Sequence, residues 1–561
     1  MTHRLLLLAC VLLLKVSFTF AQTTIVATRT AFNTAVQNAS PGDTIALQNG
    51  VWSNTVLEFY AEGTQANPIV LTAETAGEVQ LTGSSRLEIF FFFLLLYNLD
   101  FSNGALSGEA VVSFRKDSDE LAENCRLTNC RISHYNPPTD DIAYKWVSIY
   151  GKNNRVDHCQ FSGKNHEGAL LVVWLNGQAN YHQIDHNYFS DFPRLGRNGA
   201  ETIRIGTSTR SMTESRTVVE YNLFEACDGE LEIISNKSGF NVYRNNTFRN
   251  NDGVLTLRHG NDCEVYGNFF FGGLTKNSGG VRIIGERHKV YNNYFQDLRG
   301  STTRAAISMM NGVPNSPLNR YFQVKDAEVV HNTMVSCNQP FAFGVGSNSE
   351  LSLPPLDCII ANNVADKTTG STPINYVDTP INIDYTSNYV YTNALSIVDP
   401  GLINADPMLS LSDGLWRPDS SSAIFNASTR LFSYVTSDMD GQSRMDTPEL
   451  GSDEVSNLSI TNSPLTTDDV GPDWADNATN LTDYHRISPT LFVKNSTLHI
   501  ANLPEKHLPY TMSIYNVQGQ QTQSHLLHQS EASVPVFNRK GVYIIKIIGK
   551  GNAYGTSKVV F

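Results

Sequence analysis

Two glutamates, Glu230 and Glu232, flank one apolar residue in a segment with the composition of a β-strand. Alternate residues of a strand point to the same face, so the two carboxylates are expected to lie side by side and to repel each other. A hard cation with oxygen ligands removes that repulsion, and Ca²⁺ is the natural choice. Asn198, on an earlier segment, could add a neutral oxygen ligand. The alternative is an ordinary solvated strand face that binds no ion.

Three cationic residues follow the glutamates at intervals of about one repeat. Lys237 and Arg258 are 21 residues apart, and Arg258 and Arg282 are 24 residues apart. An asparagine motif of the same region recurs every 22 to 25 residues, so the three cations are expected to stack in one column, about 4.8 Å apart. Stacked cations repel unless an anion binds there. The alternative is a set of unrelated surface residues, each paired with an acid.

The strands that must position these residues belong to a long repeat. A polar residue, an asparagine and an apolar pair recur from Asn187 to Asn363, with asparagine spacings of 35, 24, 22, 25, 39 and 31. Periods of this size are typical of solenoids, and the shortest fit one coil of a right-handed parallel β-helix. A propeller is the alternative, with blades of about 40 residues and other signatures. The repeated asparagines predict a ladder of amides bonded between coils.

The two ends of the chain differ from this repeat. Residues 1–21 have the basic start, apolar run and small residues of a secretory signal, and the apolar run is too short for the alternative, a membrane anchor. The β-helix is predicted over residues 22–453 and a polar linker over residues 454–484. Residues 485–561 return to a β pattern and predict a small β-sandwich.

Composition narrows the classes of function. The chain has 561 residues, of which 41% are hydrophobic and 17% charged, so it is not a disordered protein. A net charge of −13 argues against nucleic acid as a partner. Residues 194–304 nevertheless carry 15 basic and 12 acidic residues, and a locally basic cleft can attract a polyanion. Seven cysteines follow the predicted signal without metal-binding spacing, so they are expected to be buried core residues.

Four strings of the sequence together resemble polysaccharide lyase family 6, which contains alginate lyases and chondroitinase B. The resemblance covers roughly residues 23–453. The strings are Asn198-Gly-Ala-Glu-Thr-Ile-Arg-Ile-Gly206, Glu230-Leu-Glu-Ile-Ile-Ser-Asn-Lys-Ser238, Leu257-Arg-His-Gly260 and Gly280-Val-Arg-Ile-Ile-Gly285.

The resemblance implies a β-helix fold and a secreted enzyme that cleaves alginate by calcium-assisted β-elimination. It implies that Lys237 is the Brønsted base and Arg258 the acid. The resemblance also implies substrate contacts at His259, Arg282 and Arg204. It implies calcium ligands at Asn198, Glu230 and Glu232. A monomer is expected, with an acidic polysaccharide as its substrate.

The chemistry of these residues agrees with β-elimination on a uronate. The C5 proton of a uronate lies beside a carboxylate, and its removal leaves a dianion that a bound cation stabilises. Lys237 can act as the base if it is neutral, and neighbouring cations favour the neutral form. Arg258 can polarise the leaving O4 atom. Because arginine is a poor acid, the adjacent His259 is the alternative proton donor.

Other functions remain open from the sequence. Dermatan sulfate is the alternative substrate. A β-helix glycosidase would need paired carboxylates around a water molecule and no column of cations. A surface adhesin would need no base beside a calcium site. The terminal domain resembles the sorting domain of type IX secretion in Bacteroidetes-like bacteria, which implies contact with the secretion machinery and a secreted or surface location; a carbohydrate-binding sandwich is the alternative.

Overall fold

The computed structural model describes residues 21–475 except 274, and then residues 490–494, 497–505, 508–515, 521–535, 542–548 and 554–560. The predicted signal lies outside these residues apart from its last position. The described chain is almost entirely β, and the prediction of a right-handed parallel β-helix is confirmed. Its strands alternate with tight turns, as the short apolar runs between Asn, Gly and Asp residues require.

Each coil contributes one strand to each of three parallel sheets. Sheets I and II have 14 strands each. Sheet I consists of Thr23–Val26, Thr44–Leu47, Ile69–Ala73, Leu94–Tyr97, Arg126–Thr128, Arg155–Asp157, Gln183–Asp185, Val218–Glu220, Val242–Arg244, Glu264–Tyr266, Lys289–Tyr291, Glu328–Val330, Ile359–Ala361 and Asp384–Thr386. Sheet II consists of Gly50–Ser53, Val79–Gly83, Asp100–Gly104, Arg131–Ser133, Gln160–Ser162, Tyr188–Phe192, Leu223–Cys227, Thr247–Arg249, Phe269–Phe271, Tyr294–Gln296, Thr333–Val335, Val364–Asp366, Asn388–Val390 and Leu402–Ile403.

Sheet III has 13 strands and carries the candidate site. It consists of Val56–Glu62, Arg86–Phe92, Ala110–Ser113, Ala122–Glu123, Lys145–Ile149, Leu171–Val173, Ile203–Gly206, Glu232–Lys237, Val254–His259, Val281–Ile283, Ile307–Met310, Phe341–Val345 and Ile374–Tyr376. Neighbouring coils lie one strand spacing apart, ~4.8 Å. Residues that are distant in sequence therefore meet along this sheet.

An asparagine ladder forms the corner between sheets I and II. The side-chain amide of Asn222 donates to Asn246 at 3.0 Å, and Asn246 donates to Asn268 at 3.0 Å. The ladder extends from Asn187 to Asn388 by the same bond, which confirms the predicted bonding between coils. The left-handed residue of each turn is the one before the ladder asparagine, for example Tyr221 with φ 51°.

Stacked side chains fill the interior between the sheets. Phe224, Phe248 and Phe270 lie directly above one another, with ring centroids 4.7 and 4.5 Å apart. The stack runs from Phe161 to Phe295. All seven cysteines of the described chain are free and buried, which confirms their prediction as core residues.

The α-helix Arg29–Asn38 covers the amino-terminal end of the β-helix. Its hydroxyl cap, Thr28, accepts a hydrogen bond from Ala31 N at 3.2 Å. Phe32 and Val36 are its buried residues, and they join the main core. The α-helix thus shields apolar side chains of the first coil of the β-helix from water. Three short 3₁₀ helices, Ser208–Arg210, Thr302–Arg304 and Thr467–Asp469, complete the helical content of the described chain.

Residues 454–475, named here the C-terminal strap, pack against the β-helix. These residues form the first part of the predicted linker, but the boundary between the two compact units falls after Ala475. Leu465 and Val470 are buried against Tyr188 and Leu223. The indole of Trp474 donates to Asn129 O at 2.8 Å. Three other apolar residues of the strap are exposed, so its packing rests on a few side chains that composition alone could not single out.

The strap follows the antiparallel hairpin Ser410–Ser412 and Leu415–Arg417, which ends the regular strands of the first unit. The second unit contains two antiparallel sheets around its own apolar core. One sheet consists of Thr490–Lys494, Thr497–Ala501 and Ala532–Pro535, and the other of Tyr510–Tyr515, Gln521–Leu527, Val542–Ile548 and Tyr554–Val560. None of the described helices is long and apolar enough to cross a membrane.

Candidate active site

Three glutamates meet on sheet III. Oxygens of Glu201, Glu230 and Glu232 all lie within 4.8 Å of one another. The parallel register pairs Ile203 with Ile234, so the residues two positions earlier, Glu201 and Glu232, fall side by side. The convergence of Glu230 and Glu232 follows the sequence prediction, although the strand begins only at Glu232.

Burial and mutual repulsion dominate the electrostatics of this cluster. Burial, and then the charges of Glu201 and Glu232, raise the pKa of Glu230 to about 8. One carboxylate oxygen of Glu201 and one of Glu230 are buried without a hydrogen-bond partner among the described residues. The other oxygen of Glu230 accepts from Gly199 N at 3.0 Å. Unpartnered carboxylate oxygens of this kind suit a hard divalent cation.

Asn198 lies at the mouth of the same cleft as Glu230 and Glu232. It is exposed, so it can turn its amide oxygen toward the carboxylates. Glu201 was the carboxylate that sequence reasoning missed as a ligand. Its signal was present, because an acid precedes an apolar strand at both Glu201 and Glu232. Only the pairing of the two strands shows that these acids are neighbours.

Lys237 ends the strand that Glu232 begins. Its ammonium lies 3.4 Å from Glu201 Oε1, and 12% of its side chain is exposed. Gly206 is its register partner on the preceding coil. A Cβ atom at position 206 would lie 2.6 Å from the backbone oxygen of Lys237, so this close approach of the two strands requires glycine. The lysine is therefore held beside the glutamate cluster and is still reachable from solvent.

The predicted column of Lys237, Arg258 and Arg282 is wrong in its register. A bulge between Asn236 and Lys237 pairs Lys237 with His259, and Arg258 becomes the extra residue of its strand. Arg282 pairs with Thr256 in the next step. A bulge adds a residue to one strand only, so spacing along the chain could not reveal it.

Arg258 and Arg282 nevertheless converge, because both bind Glu232. Arg258 donates to Glu232 Oε1 at 3.1 Å, and Arg282 forms a short ion pair with the same oxygen. Ser235 donates its hydroxyl to the other oxygen of Glu232. Burial opposes ionisation of Glu232, but the guanidinium groups of Arg282 and Arg258 lower its pKa below the usual value. Glu232 therefore links the glutamate cluster to the two arginines.

His259 is 1% exposed and ends the strand that carries Arg258. Burial, followed by the charges of Arg258 and Lys237, lowers the pKa of His259 to about 4. The imidazole is thus neutral at neutral pH. Arg204, the remaining predicted contact, lies one coil before the strand of Lys237 and pairs in register with Ser235. Its guanidinium lies 5.3 Å from the ring centre of Trp174.

A cleft of about 390 Å³ opens over the glutamates. Glu230, Glu232, Arg258 and Arg282 line it, together with residues that the sequence did not single out as ligands: Arg194, Arg197, Arg304 and Tyr321. Tyr321 packs beside Arg258, whose guanidinium lies 5.6 Å from its ring centre. Tyr321 comes from the long insertion between sheets III and I, where no repeat pattern operates.

Comparisons with known proteins identify the family of this chain. The family model for chondroitinase B matches residues 26–421. Comparison with curated proteins gave no match. Among solved structures, the PL6 family alginate lyase AlyGC is 35% identical with a TM-score of 0.74. That match covers 83% of this chain and 61% of AlyGC, so the chain spans less than two thirds of that relative.

Two further structures match over nearly their whole length. A polysaccharide family 6 lyase from human gut microbiota, described as mannuronic acid specific, is 30% identical with a TM-score of 0.61; the match covers 70% of this chain and 92% of that one. The PL6 family polysaccharide lyase Pedsa3628 from Pseudopedobacter saltans is 27% identical with a TM-score of 0.63, over 80% of this chain and 99% of that one. By the family model and by these structures, the chain belongs to polysaccharide lyase family 6, the chondroitinase B family.

Proposed function

We propose that this protein is a polysaccharide lyase that cleaves a uronate-containing polysaccharide by β-elimination. The first candidate substrate is alginate. One observation carries the proposal: Lys237, Arg258 and Arg282 each pair with a member of a cluster of three glutamates, and a cleft lined by the two arginines opens over that cluster. An acidic cluster flanked by cations suits a substrate that carries its own carboxylate. A glycosidase would need paired carboxylates around water and would have no use for these cations.

Glu201, Glu230 and Glu232 would hold a Ca²⁺ ion, with Asn198 as a fourth oxygen ligand. When bound, the ion would neutralise the substrate carboxylate and stabilise negative charge that develops beside it. The fit rests on the unpartnered oxygens of Glu201 and Glu230. The predicted set of ligands is thereby extended by Glu201.

Lys237 is the proposed base. Its amine would take the proton from C5, the electron pair would form the C4–C5 double bond, and the C4–O4 bond would break. The products are a chain with an unsaturated uronate end and a chain that leaves with O4. Lys237 lies beside Glu201 at the edge of the cluster, where a carboxylate on C5 would place the C5 proton.

Arg258 and Arg282 are proposed to bind the reacting sugar. Burial opposes the charged form of Arg258, but Glu232 outweighs burial and raises its pKa above the usual value. Arg258 therefore stays charged and stabilises O4 mainly by hydrogen bonding, so that O4 takes its final proton from water or from the Lys237 ammonium. Neutral His259 is proposed as a substrate contact, and Arg204 as a further contact one coil away.

Alginate is preferred as substrate because two of the matched structures, AlyGC and the gut enzyme, are described as alginate or mannuronate lyases. Dermatan sulfate is the second candidate, because the family model that matches is that of chondroitinase B. The test is ultraviolet absorbance of the new double bond after incubation with polymannuronate, polyguluronate and dermatan sulfate. Absorbance with none of the three would overturn the proposal, and absorbance with dermatan sulfate alone would change the substrate.

Secretion is proposed on the sequence alone. The signal pattern of residues 1–21 and the resemblance of residues 485–561 to a type IX sorting domain indicate a bacterial protein that is secreted or held at the cell surface. The protein would act there as a monomer on a polymer outside the cell. Fractionation of the native host tests this location, and an enzyme found only inside the cell would contradict it.

A further inference from the structure

A second cleft lies on sheet III, on the amino-terminal side of the glutamates. We name this cleft the distal groove. It has a volume of about 330 Å³, and its lining includes Arg115, Lys145, Tyr150 and Trp174. The register pairs Ser113 with Ser148, and Ser148 with Val172. Arg115, Tyr150 and Trp174, each two positions later, are therefore aligned across three consecutive coils.

This line of residues leads to the candidate base. The register also pairs Val173 with Ile205 and Gly206 with Lys237. Trp174 consequently lies two strand spacings, ~10 Å, from the strand end of Lys237. Gly206 is the position between them, and the backbone oxygen of Lys237 lies where its side chain would be. The distal groove and the active-site cleft therefore share one face.

Two guanidinium groups bracket two stacked rings in this line. Tyr150 and Trp174 lie 5.7 Å apart at an interplanar angle of 7°. Arg115 lies 3.8 Å from the ring centre of Tyr150, and Arg204 lies 5.3 Å from that of Trp174. Contacts of this kind hold a guanidinium in place without neutralising its charge.

Some of the cations on this face lack carboxylate partners. In the part of the chain that the structure describes, no ion pair within 4.0 Å is formed by Arg115 or Lys145, which line the groove, or by the neighbouring Arg204. The other two cations of the groove are paired, Arg86 with Glu88 and Glu109 at 3.2 and 3.0 Å, and Lys116 with Glu120 at 2.9 Å. Three unpaired cations on one face, two of them held over aromatic rings, are unfavourable unless an anion binds there.

We infer that the distal groove binds the carboxylates of sugars that lie two or more units from the cleaved bond, with Arg115 and Lys145 as the anion contacts and Tyr150 and Trp174 as their support. The inference rests on the proposed lyase function and extends it to the length of substrate that the enzyme holds. A hexuronate unit is about as long as one strand spacing, ~4.8 Å. Successive sugars of one polymer chain would thus pass from Lys237 to Trp174 and on to Arg115.

The test compares a long and a short substrate. In Arg115→Ala and Lys145→Ala, kcat/KM on polymeric alginate should fall roughly tenfold, the value of one charged hydrogen bond. On an alginate trisaccharide the loss should be several times smaller. Arg115→Lys should recover only part of the activity on polymer, because an ammonium does not stack on Tyr150 as a guanidinium does.

The matched control is Arg216→Ala. Arg216 also lies over a ring, 4.6 Å from the centre of Phe240, but outside the distal groove. Its substitution should change neither activity, and thermal unfolding should show that all variants fold. Equal losses on polymer and trisaccharide, or no loss on either, would overturn the inference. A wild-type protein that cleaves no polyuronate would refute the lyase function itself, so the two failures are distinguishable.

Discussion

The asparagine ladder and the glutamate cluster both bury polar side chains in consecutive coils, but they differ in how fully those side chains are hydrogen-bonded. In the ladder, Asn246 donates to Asn268, Val219 O and Arg244 O, and it accepts from Asn222. In the cluster, Glu201 and Glu230 each keep a buried oxygen without a partner among the described residues. A satisfied network stabilises the fold, whereas an unsatisfied one is costly unless a ligand completes it. The comparison separates residues that hold this protein together from residues that it reserves for function.

The largest expected effect is on the functional side, at Lys237. Lys237→Ala should lower kcat on alginate by about 10²–10⁴-fold, the usual contribution of a general base. Lys237→Arg should be nearly as inactive, because a guanidinium keeps its charge and does not accept the proton. Both are measured by double-bond absorbance, with circular dichroism to confirm folding. An active Lys237→Arg would make Lys237 an electrostatic contact and would move the role of base to His259.

The next effect concerns the cation. Chelation should abolish most of the activity, and Ca²⁺ should restore it better than Mg²⁺, since a site of several carboxylates suits the larger ion. Glu201→Gln and Glu230→Gln should each reduce calcium affinity by about 10–100-fold, the usual effect of disturbing a metal site. Isothermal titration with Ca²⁺ measures this directly. Full activity in excess chelator, with no metal in the purified protein, would contradict the site.

A smaller effect is expected on the structural side. Asn246→Ala removes five side-chain hydrogen bonds from the ladder, and each buried group left without a partner costs about 1–3 kcal/mol. Its free energy of unfolding, from urea titration, should fall while KM for alginate stays the same. If kcat fell as strongly as in the glutamate variants, the division between the two regions would be incorrect.

The pH dependence of the calcium-free protein separates the regions further. The pKa of Glu230 is raised from 4.5 to about 8, so the folded state binds a proton there that the unfolded state has lost. Stability should therefore fall as pH rises from about 4.5 to about 8. Glu230→Gln, which does not titrate, should flatten that slope in thermal unfolding across this range. An unchanged slope in Glu230→Gln would assign the dependence to other groups.

The smallest effect should follow removal of the second compact unit. A chain that ends at Ala475 should keep its melting temperature and its activity, because the C-terminal strap is retained. A chain that ends at Asp453 should melt at a lower temperature, since it exposes apolar surface that Leu465, Val470 and Trp474 cover. Equal melting temperatures for the two truncations would show that the strap contributes nothing to stability.

The sequence by itself determined the repeat, and with it the architecture. The asparagine motif recurs once per coil and can be recognised even where a loop lengthens the coil. The ladder and the β-helix could therefore be predicted from its spacing. Glu230 and Glu232 could be paired for a similar reason, because they are two residues apart. The spacings between Lys237, Arg258 and Arg282, 21 and 24 residues, match the asparagine repeat and so predict that the three share one face.

Tertiary structure alone decided which of these residues touch. The bulge opposite Lys237 shifted Arg258 out of the predicted column, and strand pairing brought Glu201 into the cluster. Tyr321 and the strap belong to segments without a repeat, so their contacts with the β-helix could not be predicted from the repeat pattern. Contacts between coils depend on register and on loop paths, and neither is encoded in the spacing of residue types along the chain.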